Sequence, residues 1–484
     1  MAVTGIRLSK KGCFMFKIFF CLMAMAIGFS SGTASAADDT GAIAPEGSIK
    51  DTVLSTLYFT PDIKQFQEYR QAAEHDVKRA RSGWFPRVDA RAGWGVEQWS
   101  SENTRNNTSR GFAQNDKGFY ERSEASIILQ QTIWDGLATS SRYDMAGAKL
   151  DSAMYRLLDN AEATVLDALL AHVEVYRQRH LVALSESNVE NHKDILESQK
   201  ERQRQGASSM ADVTQTMSRL SRSQATLAET RSALKVAMAQ YKRLVGKEPG
   251  DLEVPYLPQN PYPSLETVLL SAQANNPKTK AFKSDIEAAK AQVKLDQSAY
   301  HPHVYLEAGP SYSWQAQGSN THEWGTGVML RMSWNLFNGF YDQYNVKGNA
   351  ARMRQAKEQM LSQTELLAQE SAASWSILTS TMEQTRFFET AVNNSRETRD
   401  AYRQQFNVGQ RSLLDVLDAE NELYSYSLQL ATSRLNEVAA QYKLKAIGGE
   451  LLVSMGFAPD LLNVNTDNIA HGWGKYVQTN VNRD

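Results

Sequence analysis

The stretch Arg87-Val88-Asp89-Ala90-Arg91-Ala92-Gly93-Trp94-Gly95-Val96-Glu97 alternates without a break. Val88, Ala90, Ala92, Trp94 and Val96 are apolar, and the intervening residues are charged or glycine. A period of two is that of a strand with one apolar side. Three more stretches read the same way. Val304, Leu306, Ala308, Pro310, Tyr312 and Trp314 alternate with His303, Tyr305, Glu307, Gly309, Ser311 and Ser313. The other two carry Ala125, Ile127, Leu129 and Ile133, and Trp324, Val328, Leu330, Met332 and Trp334. Two settings produce such alternation: a half-buried sheet in a soluble protein, or a wall with lipid on one side and water on the other. Tilted strands of about 9–11 residues span a bilayer. Seven of the nine tryptophans lie in or beside these strands, and tryptophan at strand ends is how barrels meet the headgroup layer, although β-propensity accounts for part of the enrichment. Trp94, Trp134, Trp314, Trp324 and Trp334 are the expected lipid-interface residues. Four strands cannot close a barrel, and an open edge in lipid leaves backbone groups unpaired at several kcal/mol each. Strands of several chains must therefore complete one cylinder.

The chain begins with the features of exported proteins. Arg7, Lys10, Lys11 and Lys17 precede the apolar run Ile18 to Phe29, and Ala34-Ser35-Ala36 supplies small residues for cleavage. This reads as a secretory signal over 1–36, too short for a spanning helix. Cys21 follows Phe19-Phe20 inside the run, which is not the setting of a lipid-anchor cysteine. Removal of 1–36 takes both cysteines, Cys13 and Cys21, and leaves a net charge of −6. The mature chain then has no disulfide framework and no thiolate metal site, and its charge excludes a general nucleic-acid binder. No later stretch holds about 18 uncharged apolar residues.

The chain repeats itself. Ser48 to Pro86 pairs with Ser264 to Pro302 at an offset of 216, which sets Trp84-Phe85-Pro86 on Tyr300-His301-Pro302. Ile133-Trp134-Asp135-Gly136 pairs with Leu336-Phe337-Asn338-Gly339 at 203, an offset that still holds where Gly206 to Val213 meets Gly409 to Val416. The change of offset falls in the polar stretch Ser100 to Tyr120, a loop longer in the first half. Each half begins with a helical stretch, about Pro61 to Gly83 and Pro277 to Tyr300. After the strands, proline-free helix-forming sequence runs to about Gln205 and Val408. About 70 helical residues reach roughly 100 Å, more than a compact domain holds. Leu150, Leu157, Ala161, Val165 and Ala168 recur at helical steps, a coiled-coil-like seam. The expected organisation is a signal over 1–36 and a first repeat over 37–254, with hairpin 86–134 and long helices 137–246. A proline-rich connector over 255–263 follows. The second repeat spans 264–456, with hairpin 302–335 and long helices 339–447, and a tail covers 457–484.

Gly206 and Gly409 suit the left-handed residue that closes a helix. Ser208 to Val213 and Arg411 to Ala419 start the return helices. Asp212, Asp415 and Asp418 either favour the positive helix end, worth about 0.3–1 kcal/mol each, or form carboxylate rings at the free tip of a multi-chain pore. Phe406-Asn407-Val408-Gly409-Gln410-Arg411-Ser412-Leu413-Leu414-Asp415-Val416-Leu417-Asp418-Ala419 resembles the second-repeat periplasmic turn of TolC-type outer membrane efflux proteins. The Asn-Pro start, the aromatic-proline strand entries and the twofold repeat match that family as well, from about Ser48 to Gly456.

The resemblance implies a mostly α fold with transmembrane β. Four strands per chain would enter a trimeric 12-stranded barrel that continues into a helical periplasmic tunnel. It implies Asp415 and Asp418 at the constricted entrance and an Arg411–Asp212 bridge that holds the tip closed. The family's turn tyrosine is replaced by Phe406, and Ala211 precedes Asp212, so two hydrogen-bonding groups of the gate are missing. It further implies the exit duct of a tripartite export system. The partners would be a homotrimer, a periplasmic adaptor (membrane fusion protein), an inner-membrane ABC or proton-driven transporter, and exported protein or small molecules as cargo.

No phosphate loop, Gly-x-Ser-x-Gly elbow or paired metal-ligand motif is found in the sequence. His301 and His303 flank Pro302, and only one points inward along a strand. The expectation is a non-enzyme with no cofactor and no resident metal. The rivals are a periplasmic adaptor, which normally carries an inner-membrane anchor and a lipoyl-like domain, and a soluble coiled-coil scaffold, which has no use for lipid-facing strands.

Overall fold

The computed structural model describes residues 47–98, 119–256, 262–314, 316 and 322–457. The expected signal over 1–36, the polar loop from Ser100 to about residue 118, Trp99 and the tail beyond 457 lie outside the described residues.

Each half opens with two helices rather than one. Helices α1 (Ile49–Phe59) and α2 (Pro61–Arg81) meet at Thr60, and α5 (Leu265–Asn275) and α6 (Pro277–Gln297) meet at Asn276. The sequence reading found only the second of each pair. Proline disfavours helical backbone in the residue before it, so Thr60 (ψ 123°) and Asn276 (ψ 120°) end one helix while the proline starts the next. Ser48 Oγ accepts from Asp51 N at 3.1 Å, and Asn276 Oδ1 accepts from Thr279 N at 3.1 Å.

A 3-10 turn leads from each second helix into a strand. Strands β1 (Arg87–Gln98), β2 (Phe119–Trp134), β3 (His303–Trp314) and β4 (His322–Ser333) form one antiparallel sheet in the order β1-β2-β3-β4. At the corner after β2, Gly136 (φ 65°) and Leu137 (φ 70°) are both left-handed, and Gly339 and Phe340 (φ 66°) repeat this after β4. A leucine or phenylalanine in that region costs roughly 1–2 kcal/mol, so the corner geometry is imposed on it twice.

Helices α3 (Ala138–Arg204) and α7 (Tyr341–Asn407) follow, each 67 residues long, or about 100 Å. They return as α4 (Met210–Val245) and α8 (Leu413–Ile447), and the short α9 (Leu451–Ser454) ends the described chain. Helix α3 is the hub, packed on α2, α4, α6 and α8, whereas α7 packs on α6 and α8. The main core gathers Leu157, Ala161, Val165 and Leu169 of α3 against Ile49, Val53, Ile63, Tyr442 and Leu451. Each large apolar side chain fully buried there contributes about 1.5–3 kcal/mol. A buried polar pin crosses this region. His172 Nε2 lies 3.0 Å from the carbonyl oxygen of Glu253, which can only accept, so Nδ1 is the acceptor for Thr52 Oγ1 at 3.0 Å. The Thr52 hydroxyl in turn accepts from Tyr241 at 3.1 Å. Burial pushes the His172 pKa down, which keeps the ring neutral.

Candidate functional site

Two regions are candidates: the sheet and the helical tip. The apolar side of the sheet is uncovered. Trp94 is 73% exposed, Trp324 75% and Leu330 68%, with Val88, Val96, Val328 and Met332 similarly bare. A half-buried sheet would hide that side, and among the described residues no helix lies over it. Trp134 and Trp334 are exposed as well, and Trp334 Nε1 donates to the carbonyl of Tyr300 at 3.2 Å. Trp314 is the exception among the five expected residues, half-buried and stacked on His322 at 5.7 Å. The other side carries ion pairs: Arg122 with Glu97 at 2.9 Å and Arg331 with Glu307 at 3.0 Å. The His303 ring lies 5.4 Å from that of Tyr305, tilted by 34°, and the Cβ of His301 closes on Gly136.

At the tip, each long helix ends on a glycine. Gly206 (φ 75°) and Gly409 (φ 78°) are left-handed, and the next residues, Ala207 and Gln410, each donate back to a carbonyl five residues earlier at 2.8 Å. Helix α4 then starts with a reciprocal cap. Ser209 Oγ accepts from Asp212 N at 3.2 Å, and Asp212 Oδ2 accepts from Ser209 N at 3.1 Å. The Ser209 backbone N–H, and after it the Ser209 and Ser208 hydroxyls, hold the Asp212 pKa below the ordinary carboxylate value. Ser412 Oγ caps α8 at Asp415 N, 3.2 Å away.

The expected Arg411–Asp212 bridge is not made within the chain. Asp212 is occupied by its cap, while Arg411 turns back on its own hairpin. Its Nε donates to Gln405 Oε1 at 3.0 Å, Nη1 lies 3.6 Å from Asp415, and the guanidinium sits 4.2 Å from the centre of the Tyr402 ring. Asp418 pairs with Arg219 of α4 at 3.1 Å. Both expected entrance carboxylates thus face a guanidinium of the same chain. Phe406 offers its ring to Arg202 of α3, whose guanidinium lies 4.4 Å from the ring centre.

Sequence reasoning missed what joins the two hairpins. Ile195 of α3 is buried with Leu413 and Leu417 of α8, and Phe406 packs on that cluster. Ser185 of α3 meets the Tyr424 hydroxyl of α8 at 2.8 Å, whereas Glu420, buried in α8, faces Arg399 at 3.4 Å and Arg403 at 3.5 Å on α7 and so ties the second hairpin to itself. Arg219 had a readable signal: it stands seven residues beyond Asp212 and so shares its helical face. Arg202 had none.

The family model for outer membrane efflux proteins matches residues 55–247 and 268–450, both halves of the repeat. The chain belongs to that family. The outer membrane efflux protein BepC of Brucella suis biovar 1 (strain 1330) is 25% identical over 334 residues, covering 67% of this chain and 72% of BepC. The alkaline protease secretion protein AprF of Pseudomonas aeruginosa is 23% identical over 404 residues, covering 80% and 82%. The crystal structure of CusC shares the fold at a TM-score of 0.72 and 14% identity, covering 86% of this chain and 93% of CusC. As a member of the outer membrane efflux protein family, the chain is an export channel of the outer membrane with its long helices in the periplasm. Members of the family are channels rather than enzymes, and the adaptor and scaffold readings are not favoured.

Proposed function

We propose that three copies close a single passive duct whose narrowest point is the helical tip. The observation that carries this reading is the pair of open ends. Strands β1 and β4 are the two edges of the sheet, and an edge in hydrocarbon is too costly to stand unpaired. Helices α4 and α7 lie at the two ends of the helical row α4-α3-α8-α7. A cyclic arrangement joins both pairs of ends at once. Three chains of four strands give twelve, within the range of closed membrane barrels.

In that ring the α7–α8 turn of one copy lies beside the α3–α4 turn of the next. Arg411 and Asp212, apart within a chain, would then meet between copies, and Asp415 and Asp418 would line the mouth. Opening separates hairpins held by Arg202 on Phe406, Arg219 on Asp418 and the Ile195–Leu413–Leu417 cluster. Energy for export comes from an inner-membrane ABC or proton-driven transporter, and a periplasmic adaptor grips the tip. BepC is named for efflux and AprF for secretion of a protease, and for this chain both small-molecule and protein cargo stay open. Comparing secreted proteins with drug susceptibility in a deletion strain separates the two.

The gate is tested with Arg411→Ser in planar bilayers. Loss of its contact with Asp212 of the neighbouring copy is expected to raise single-channel conductance several-fold. Conductance equal to the unaltered protein would remove Arg411 from the gate.

A further inference from the structure

Helix α3 buries two histidines, His172 and His192, in different settings. His172 has a partner on each ring nitrogen, the Glu253 carbonyl and the Thr52 hydroxyl, both at 3.0 Å. His192 lies nearer the tip. It is 5% exposed, and its Nδ1 has no hydrogen-bond partner among the described residues. It belongs to the stripe Ser185, Val189, His192, Ile195, Leu196 and Gln199, buried at helical steps on the tip end of α3. Along that stripe Ser185 reaches the Tyr424 hydroxyl of α8, and Ile195 packs on Leu413 and Leu417 of the same helix. His192 thus stands inside the junction that joins the two hairpins.

Charges reach the ring from both helices packed on this part of α3: Glu420 from α8 and Arg219 from α4. On α3 itself the residues one turn away, Asn188, Val189, Ile195 and Leu196, carry none. Both outside charges are already engaged, Glu420 with Arg399 and Arg403 of α7, and Arg219 with Asp418 of α8. A proton on His192 would meet a carboxylate already held by two guanidinium groups and a third guanidinium that repels it. Burial first of all pushes the His192 pKa below the ordinary imidazole value of 6.5, against the pull of Glu420 and with Arg219 adding to the push.

We propose that His192 is a proton-operated release for the helical tip: the packed junction of α3 with α4 and α8 holds the ring neutral, and the parted junction, where the ring meets water, takes up a proton. The inference rests on the gate reading above, in which α3 separates from α8, and adds a stimulus that drives the separation. The direction follows from linkage. A base whose proton affinity is lower in the packed state than in the parted one favours parting in acid. The junction is at full strength above about pH 6.5 and weakens as the pH falls from there toward the depressed packed-state value. His172 has no such role, because both of its nitrogens are engaged and it pins α3 to parts that do not separate. The helices stand in the periplasm, so the acidity of that compartment is the signal. Three copies parting together take up three protons, which makes the response steeper than the titration of a single imidazole.

The test uses the full-length protein in planar bilayers, titrated from about pH 7.5 to about pH 5.5. Open probability of the unaltered channel is expected to rise several-fold across that interval. In His192→Gln, which keeps a polar side chain but cannot take up the proton, the rise should be lost; an equal rise in both channels overturns the proposal. A second measurement needs no change at the ring. Exchange of the imidazole C2 hydrogen for deuterium, followed by mass spectrometry as a function of pH, titrates His192 in the assembled protein. Coupling is reciprocal, so a variant that opens the tip by another route, Arg411→Ser, must raise the His192 midpoint toward that of a free imidazole. If Arg411→Ser raises conductance while His192 titrates as before, the release is refuted and the gate stands. If neither Arg411→Ser nor acid raises conductance, the tip is not the gate and both readings fall.

Discussion

Glu162 sits in α3 at 6% exposure, with Oε1 accepting from Leu452 N at 3.3 Å and Oε2 without a partner among the described residues. Burial pushes its pKa up to about 8, against the pull of the Leu452 and Leu451 backbone N–H groups. The unfolded carboxyl titrates near 4.5, so between that value and about 8 the folded chain holds a proton that the unfolded chain has released. Its contribution to stability is complete below pH 4.5 and is lost as the pH rises to about 8. The span corresponds to roughly 5 kcal/mol. Glu162→Gln keeps the acceptor for Leu452 but places an amide donor where Oε2 has no partner, at about 1–3 kcal/mol. The net gain at pH 8 is then about 2–4 kcal/mol, and at pH 5 the variant is equal to or less stable than the parent. The assay is apparent Tm in detergent at pH 5, 6.5 and 8, at one scan rate because unfolding of such chains is often irreversible. The parent should lose several degrees across this range relative to Glu162→Gln. Parallel curves would show that the carboxyl is already ionised at pH 5 and refute the reasoning.

Two predictions concern the tip. Leu417 is fully buried against Ile195 and Leu413, so Leu417→Ala costs about 2–5 kcal/mol locally. It should speed proteolysis between residues 196 and 214 and around 406–414, with the sheet end unaffected; an unchanged cleavage rate would show that the cluster does not hold the hairpins together. Asp415→Asn combined with Asp418→Asn removes two carboxylates per copy from the proposed mouth and should lower cation over anion selectivity in bilayer reversal potentials. No change would place both outside the conduction path.

Much of the membrane half was legible because alternation is local: the even-numbered residues from Val88 to Val96 declare a side without knowledge of any partner. Gly206 and Gly409 were legible for the same reason, since a left-handed residue after a long helical run is a backbone requirement. Helices α1 and α5 were missed because a proline was read as a start, although it also ends what precedes it. The role of Asp212 was left between two readings. Within the chain the local one prevails, because a carboxylate three residues after Ser209 closes a ring of two bonds with little loss of side-chain freedom. Arg219 on Asp418 and Arg202 on Phe406 join residues about 200 positions apart. No periodicity encodes which arginine of a helix finds which partner on another.

Phe406 also bears on the strength of the proposed gate. Loss of the family's tyrosine hydroxyl reads, in sequence, as loss of a hydrogen bond with a net value of about 0.5–1.5 kcal/mol. In the structure the ring face is taken by Arg202, with Nη2 also 3.5 Å from the Phe406 carbonyl. A guanidinium over a partly exposed ring contributes about 0.5–1 kcal/mol, and the ring adds apolar packing to Ile195, Leu413 and Leu417. The two quantities are of the same size. Phenylalanine therefore does not by itself make a weak tip. It replaces a directional bond, which breaks at a small displacement, with contacts that fall off gradually as the hairpins part. A tip built this way yields over a longer path, and the work of opening it is spread along the separation of α3 from α8 rather than concentrated at one hydrogen bond.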